Sequence, residues 1–285
     1  MKTLFAFLGG AVLMLGTAAF FTSAKAQDVP VGVQTKLTVE LSAREAFPDE
    51  EGKIVDPDAK EQVSFLLYIP KNDAEKTEAG FPLMLFLHGA GDRGDDIELV
   101  KKAGPPKIIE KAERGKMWPF LTVSPQCPKG KRWSGEQLLE LLDYVMENYP
   151  VDPDRVYVTG LSMGGSGTWR LLAIAPERFA AAVPMCGRGD PAAAGKMLDV
   201  PIWVYHGDSD NIVPVEESEA MVKAIWEKGG TKVKLTEYPG VKHNCWIRGY
   251  SDPGFNNWLL KHKRVKPDGK PLPKKNSGKP AQESR

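Results

Sequence analysis

The stretch Arg155-Val156-Tyr157-Val158-Thr159-Gly160-Leu161-Ser162-Met163-Gly164-Gly165 decides how the chain is read. Val156 to Val158 is a short β-branched and aromatic run. It follows the turn signal Asp152-Pro153-Asp154 and predicts a buried strand. Gly160-x-Ser162-x-Gly164 comes directly after it, and residues 169–174 form an apolar stretch of helical character. Strand, sharp turn and helix thus succeed one another with a serine at the apex. A serine there sits on strained backbone, and glycines two before and two after it remove side chains that would collide. It projects from the carboxyl edge of a sheet, with N–H groups gathering at the helix start. The bland alternative is a Gly-rich turn. What separates the two is whether an acid and then a histidine follow.

Downstream, residues 179–184 and 202–205 are short apolar strands, the second running into His206-Gly207-Asp208-Ser209-Asp210-Asn211. Residues 215–228 read as a helix closed by Gly229-Gly230. Residues 233–238 alternate as a strand, residues 239–244 are a loop carrying His243, and residues 255–262 are a last short helix. Upstream, residues 35–41 and 63–69 read as edge strands, and residues 81–87 as a strand buried on both faces that ends in His88-Gly89-Ala90-Gly91. Gly104-Pro105-Pro106 is expected to interrupt any helix, with one short turn at residues 108–112. Residues 120–123 give a further buried strand ending in Ser124-Pro125-Gln126-Cys127. Ser134 and Gln137 form a capping-box pattern, and Leu138, Leu141, Leu142, Val145 and Tyr149 trace one helical face.

Strands alternate with helices from residue 81 to 262, which predicts an α/β fold, a mainly parallel sheet covered by helices on both faces. No internal repeat or second domain is seen. In such sheets sites gather beyond the carboxyl ends of the strands. His88-Gly89, Ser162, Asp210 and His243 all fall there.

A serine hydroxyl becomes nucleophilic when an imidazole takes its proton, and the imidazole needs a carboxylate to fix its tautomer. The chain has four histidines. His88 and His206 each precede a glycine at a strand end and are read as loop braces; His262 adjoins the tail. His243, in a loop after a late strand, is the predicted base. Asp208 and Asp210 compete as the acid. Asp210 lies farther into the loop and is preferred, with Asp208 a turn residue. The order serine, acid, histidine is that of α/β-hydrolases.

Gly160-Leu161-Ser162-Met163-Gly164-Gly165-Ser166-Gly167-Thr168-Trp169, with His88-Gly89-Ala90-Gly91, Ser124-Pro125-Gln126-Cys127 and His206-Gly207-x-x-Asp210, resembles the α/β-hydrolase superfamily. Within it the chain is similar to compact secreted esterases related to dienelactone hydrolases, polyhydroxybutyrate depolymerases and feruloyl esterases, and to the catalytic domain of prolyl oligopeptidases. The resemblance spans residues 63–262 and implies a Ser162, Asp210, His243 triad. It also implies an oxyanion hole from the backbone N–H groups of Met163 and Ala90. The chain lacks a propeller-sized N-terminal domain and any insertion long enough for a lid. The implied activity is carboxylic ester hydrolysis through an acyl-enzyme, without metal or organic cofactor, on a small-molecule or polysaccharide-linked ester. A peptidase with the same triad and a non-catalytic binding protein on this fold are the alternatives. Trp133 and Trp246 are candidate substrate-binding walls, with core or loop packing the other role open to each.

At 285 residues, 42% hydrophobic and 26% charged, the chain can bury one sizeable core. A formal charge of +1 gives no reason to expect a nucleic-acid partner. Lys2, the apolar run of residues 4–21 and Ala24-Lys25-Ala26 read as a signal peptide over residues 1–26, leaving a domain over 27–262 and a periplasmic or extracellular protein. The competing reading is an uncleaved membrane anchor. Cys127, Cys186 and Cys245 are too few for a disulfide scaffold and show no C-x-x-C metal spacing. Residues 263–285 hold eight Lys or Arg, two acids and four Pro. They predict a disordered basic tail with a weak, salt-screened attraction to anionic cell-envelope surfaces.

Overall fold

Residues 28–42, 60–111 and 118–264 are described by the computed structural model. The signal-peptide segment and the tail from residue 265 onward lie outside them. The strands are β1 Gln34–Ser42, β2 Lys60–Tyr68, β3 Phe81–Leu87, β4 Leu121–Pro125, β5 Val151–Leu161, β6 Ala181–Met185, β7 Ile202–Gly207 and β8 Val233–Tyr238. The helices are α1 Gly104–Glu110, α2 Gly135–Asn148, α3 Met163–Ile174, α4 Glu216–Glu227, α5 Trp246–Gly249 and α6 Phe255–Leu260. One eight-stranded sheet has the order β1-β2-β4-β3-β5-β6-β7-β8. The β1–β2 and β2–β4 pairs are antiparallel, and every pair from β4–β3 to β7–β8 is parallel.

The sheet is buried on both faces, and β3 shows why its sequence is a continuous apolar run. Phe81, Leu83, Leu85 and Leu87 enter one core with the inner faces of α2, α3 and α4; Met84 and Phe86 enter the other, with Trp118, Tyr250 and Phe255. Successive side chains of a strand point to opposite faces, so a strand with no wet face needs apolar residues at every position. The two cores sandwich one sheet, and the described chain is a single α/β domain with the parallel sheet that the alternation of elements predicts.

Two expectations need correction. Gly104-Pro105-Pro106 does not interrupt a helix but starts α1, with proline in its first turn. The N–H groups of that turn have no intrahelical acceptor, so proline loses nothing there. Asp152-Pro153-Asp154 lies inside β5 rather than before it. Phe81 pairs with Val151 but Leu83 with Val156, so the segment bulges out of the ladder. The Asp152 carboxylate pins that bulge, accepting from Arg155 Nε at 2.8 Å, Thr77 Oγ1 at 3.0 Å and the Asp154 N–H at 3.1 Å. Just past His262, Arg264 is buried, its N–H donating to the Asp154 carbonyl at 2.7 Å and its Nη1 to that of Arg178 at 3.1 Å. The charged end is retained because the carbonyls of the bulge and of the loop after α3 need donors.

Candidate active site

Ser162 links β5 to α3 with φ 53° and ψ −116°, a left-handed conformation that a non-glycine residue adopts at a cost of about 1–3 kcal/mol. Packing imposes it. The Ser162 N–H donates to the Met185 carbonyl of β6 at 2.9 Å while its own carbonyl already accepts from Ser166 N in α3. A Cβ on Gly160 would collide with the Gly164 carbonyl, and one on Gly164 with the Leu87 carbonyl. The two glycines therefore let α3 start directly against β3 and β5. Ser162 is left half-buried at the rim.

His243 reaches it from the loop after β8. Its Nε2 lies 2.8 Å from Ser162 Oγ and its Nδ1 2.6 Å from Asp210 Oδ2. A carboxylate only accepts, so Nδ1 carries the proton and Nε2 presents its lone pair to the serine hydroxyl. Asp210 sits in the loop after β7 with its side chain buried. Its second oxygen, Oδ1, accepts from Ile212 N at 2.9 Å and Val213 N at 3.0 Å. Burial opposes its ionisation, but the hydrogen bonds from His243, Ile212 and Val213 outweigh it and hold the carboxyl below its ordinary pKa. For His243 burial disfavours the imidazolium; the neighbouring Cys186 and the hydrogen bond and charge of Asp210 overcome that and lift its pKa to about 9. Asp208 turns elsewhere, its Oδ1 stapling the Gly240 N–H at 2.7 Å across the neighbouring loop.

The loop after β3 forms the opposite wall. A Cβ on Gly89 would lie 3.7 Å from that of Ser162, so this backbone runs alongside the serine. His88 braces it from beneath. Its Nε2 accepts from Cys127 N at 3.0 Å, so Nδ1 carries the proton and donates to the Gly89 carbonyl at 2.7 Å. Burial, opposed by that backbone bond and aided by Arg93, pushes the His88 pKa down to about 4, and it is a neutral structural ring. Ala90 is exposed, its carbonyl turned toward Arg93 Nε at 3.1 Å. Ala90 and Met163 each open a helical turn, where a backbone N–H has no acceptor within the helix.

Of the two candidate tryptophans, the structure separates the roles. Trp133 is only 6% exposed, donates from Nε1 to the His88 carbonyl at 3.2 Å and meets the His88 ring edge-on. It props the loop and packs in the core. Trp246 is half-buried with its ring 5.6 Å from that of His243. Three neighbours escaped sequence reasoning. Ile212 and Ile247 are 61% and 60% exposed beside Asp210 and Trp246, and Cys186, at φ 40°, sets its Sγ within 4.8 Å of a His243 ring nitrogen and an Asp210 carboxylate oxygen. The Cys186 signal was its place after β6, at a strand end like the others. Its thiol is buried, which pushes its pKa up and keeps it neutral. Among the described residues, Cys186, Asp210 and His243 are the set whose ligand atoms fall within reach of one cation, all within 4.8 Å of one another. Two of the three are committed to the Ser162 chain. All three cysteines are free thiols.

Residues 129–251, which include Ser162, Asp210 and His243, match the dienelactone hydrolase family. Over 165 residues the chain is 26% identical to a bifunctional acetylxylan esterase/xylanase of Neocallimastix patriciarum, covering 55% of this chain and 23% of that protein. Over 126 residues it is 43% identical to poly(3-hydroxyalkanoate) depolymerase C of Paucimonas lemoignei, covering 38% and 28%. The chain thus spans about a quarter of the length of these two relatives. The crystal structure of a thermostable esterase superposes with a TM-score of 0.62 at 34% identity, covering 73% of this chain and 61% of that one. Residues 129–251 are thus similar to the dienelactone hydrolase family, and the chain has an α/β-hydrolase fold.

Proposed function

We propose that this chain is an exported serine hydrolase that cleaves carboxylic esters through an acyl-enzyme. The observation that carries the reading is the continuous chain Ser162 Oγ, His243, Asp210, with contacts of 2.8 and 2.6 Å, at a serine held in a left-handed conformation. In the first step His243 Nε2 takes the Ser162 proton as Oγ attacks the ester carbonyl. The oxyanion is received by the Met163 and Ala90 N–H groups, each contributing about 3 kcal/mol in the transition state. The imidazolium, stabilised by Asp210, returns the proton to the leaving alcohol. Water then enters and gives a proton to His243 as its oxygen attacks the acyl carbon; His243 hands that proton to Ser162 Oγ as the acyl–oxygen bond breaks and the acid leaves. The esterase names of two of the relatives support an ester, and the exposed Ile212 beside Asp210 and Ile247 beside Trp246 support an apolar portion on it. Export is supported by the apolar run of residues 4–21 and the Ala24-Lys25-Ala26 site.

A panel of short-chain, feruloyl and acetylated-sugar esters tests the activity, with a fluorophosphonate as the label for the nucleophile. Ser162→Ala is expected to lose about four to six orders of magnitude in turnover, to keep its melting profile, and to take up no label. Labelling that persists in the variant would refute the assignment.

A further inference from the structure

His206 closes β7 and is buried without solvent contact, yet both its ring nitrogens are engaged. Nε2 lies 2.9 Å from the Val213 carbonyl and Nδ1 2.7 Å from Ser218 Oγ on α4. A carbonyl only accepts, so Nε2 carries the proton and Nδ1 accepts a hydrogen bond from the Ser218 hydroxyl. The same Nε2 lies 3.2 Å from Asp210 Oδ2, the oxygen that receives His243 Nδ1. Val213 is held from both ends: His206 grips its carbonyl, and its N–H grips Asp210 Oδ1.

We infer that His206 is a positioning residue for the acid of the triad, anchored by Ser218 and acting through Val213 and directly on Asp210 Oδ2. This rests on the reading of Ser162, His243 and Asp210 as that triad. A carboxylate on a short side chain has one free torsion that matters here, rotation about its bond to Cβ. Two backbone donors fix Oδ1, but they belong to a loop, and a loop holds a carboxylate only as well as it is itself held. His206 supplies that hold from a buried strand, and its positive N–H edge keeps Oδ2 on the His243 side. Removing that edge frees the Asp210–Val213 turn and lets the carboxylate swing, which misaligns the imidazole toward Ser162. Misplacement on the scale of 1 Å costs roughly 10²-fold in rate.

The test uses the full chain with His206→Met, which fills the space and donates nothing, and His206→Gln, whose amide nitrogen can replace the Nε2 donor. His206→Met should lower kcat on the best ester about 10- to 100-fold with KM nearly unchanged, and His206→Gln should restore most of it. Proton NMR supplies a readout independent of turnover. The low-field His243 Nδ1 proton, assigned by its loss in Asp210→Asn, should broaden or move upfield in His206→Met and recover in His206→Gln. Thermal melts identify any variant that has lost its fold. If His206→Met folds and keeps both the wild-type resonance and kcat, or if Gln does no better than Met, the positioning role is wrong. Should the wild-type protein hydrolyse no ester, the esterase reading falls, while the resonance still decides whether His206 orients Asp210.

Discussion

The pH dependence of catalysis is the quantity the site constrains most sharply. In the proposed mechanism His243 must be neutral to accept the Ser162 proton, so kcat/KM should rise as pH rises through its folded-state pKa. Burial alone would lower that pKa below the ordinary 6.5, but Cys186 and Asp210 reverse the sign and lift it to about 9. The Cys186 thiol is neutral, so it contributes orientation, and the lasting charge opposite the imidazolium is the Asp210 carboxylate. The acid limb therefore lies between 6.5 and about 9. At the upper value roughly 1 molecule in 100 carries a neutral base at pH 7, because each pH unit below the pKa is a factor of ten. An ordinary histidine would already be about three-quarters neutral there. From pH 7 to the plateau kcat/KM should climb by up to ~100-fold instead of about 1.3-fold.

The measurement is initial-rate kcat/KM on a soluble ester from about pH 5.5 to 10, with spontaneous hydrolysis subtracted at each pH. Asp210→Asn is the control that isolates the cause. It removes the charge, so burial prevails and the limb should move down, while the plateau falls by roughly 10⁴ through the wrong tautomer. Cys186→Ser, which substitutes one neutral partner for another, should leave the limb above 6.5. A wild-type limb centred at or below 6.5 would refute the argument that Asp210 governs the base.

Two structural predictions accompany it. Asp152→Ala strands Arg155, which is 6% exposed and keeps only the Glu75 carbonyl and carboxylate and the Gly80 carbonyl as partners. Breaking such a buried pair costs about 3–5 kcal/mol. With those partners retained the lower end applies, a fall in Tm of roughly 6–12 °C. Calorimetry showing less than about 1 kcal/mol would mean the bulge is held by something else. Truncation after Arg264 should leave the melting temperature unchanged, whereas truncation after His262 removes the bonds to Asp154 and Arg178 and should cost about 1–3 kcal/mol. Equal melting curves for the two truncations would show that Arg264 contributes nothing.

How much of this was legible in the sequence depends on the range over which each feature is determined. The limits of β3 and β8 match the apolar run at residues 81–87 and the alternation at 233–238, because burial writes itself into consecutive residues. The three residues Ser162, Asp210 and His243 were nameable from one-dimensional order, since a parallel sheet delivers every strand end to the same edge. Proline was misread twice for one reason. Its meaning hangs on whether its missing N–H had a partner, and at Pro105 and Pro153 a helix start and a bulge supplied none. The least legible features are pairwise and distant. Trp133 looked like a loop aromatic until His88, 45 positions away, proved to need its indole donor. His206 looks like a glycine-side brace, and brace it is, but what it touches is the Val213 carbonyl, seven residues on, and, at 3.2 Å, Asp210 Oδ2, the oxygen that receives His243. A histidine beside a glycine at a strand end carries the same local signal at residues 88 and 206. Only the third dimension assigns one ring to the loop beside the nucleophile and the other to the acid.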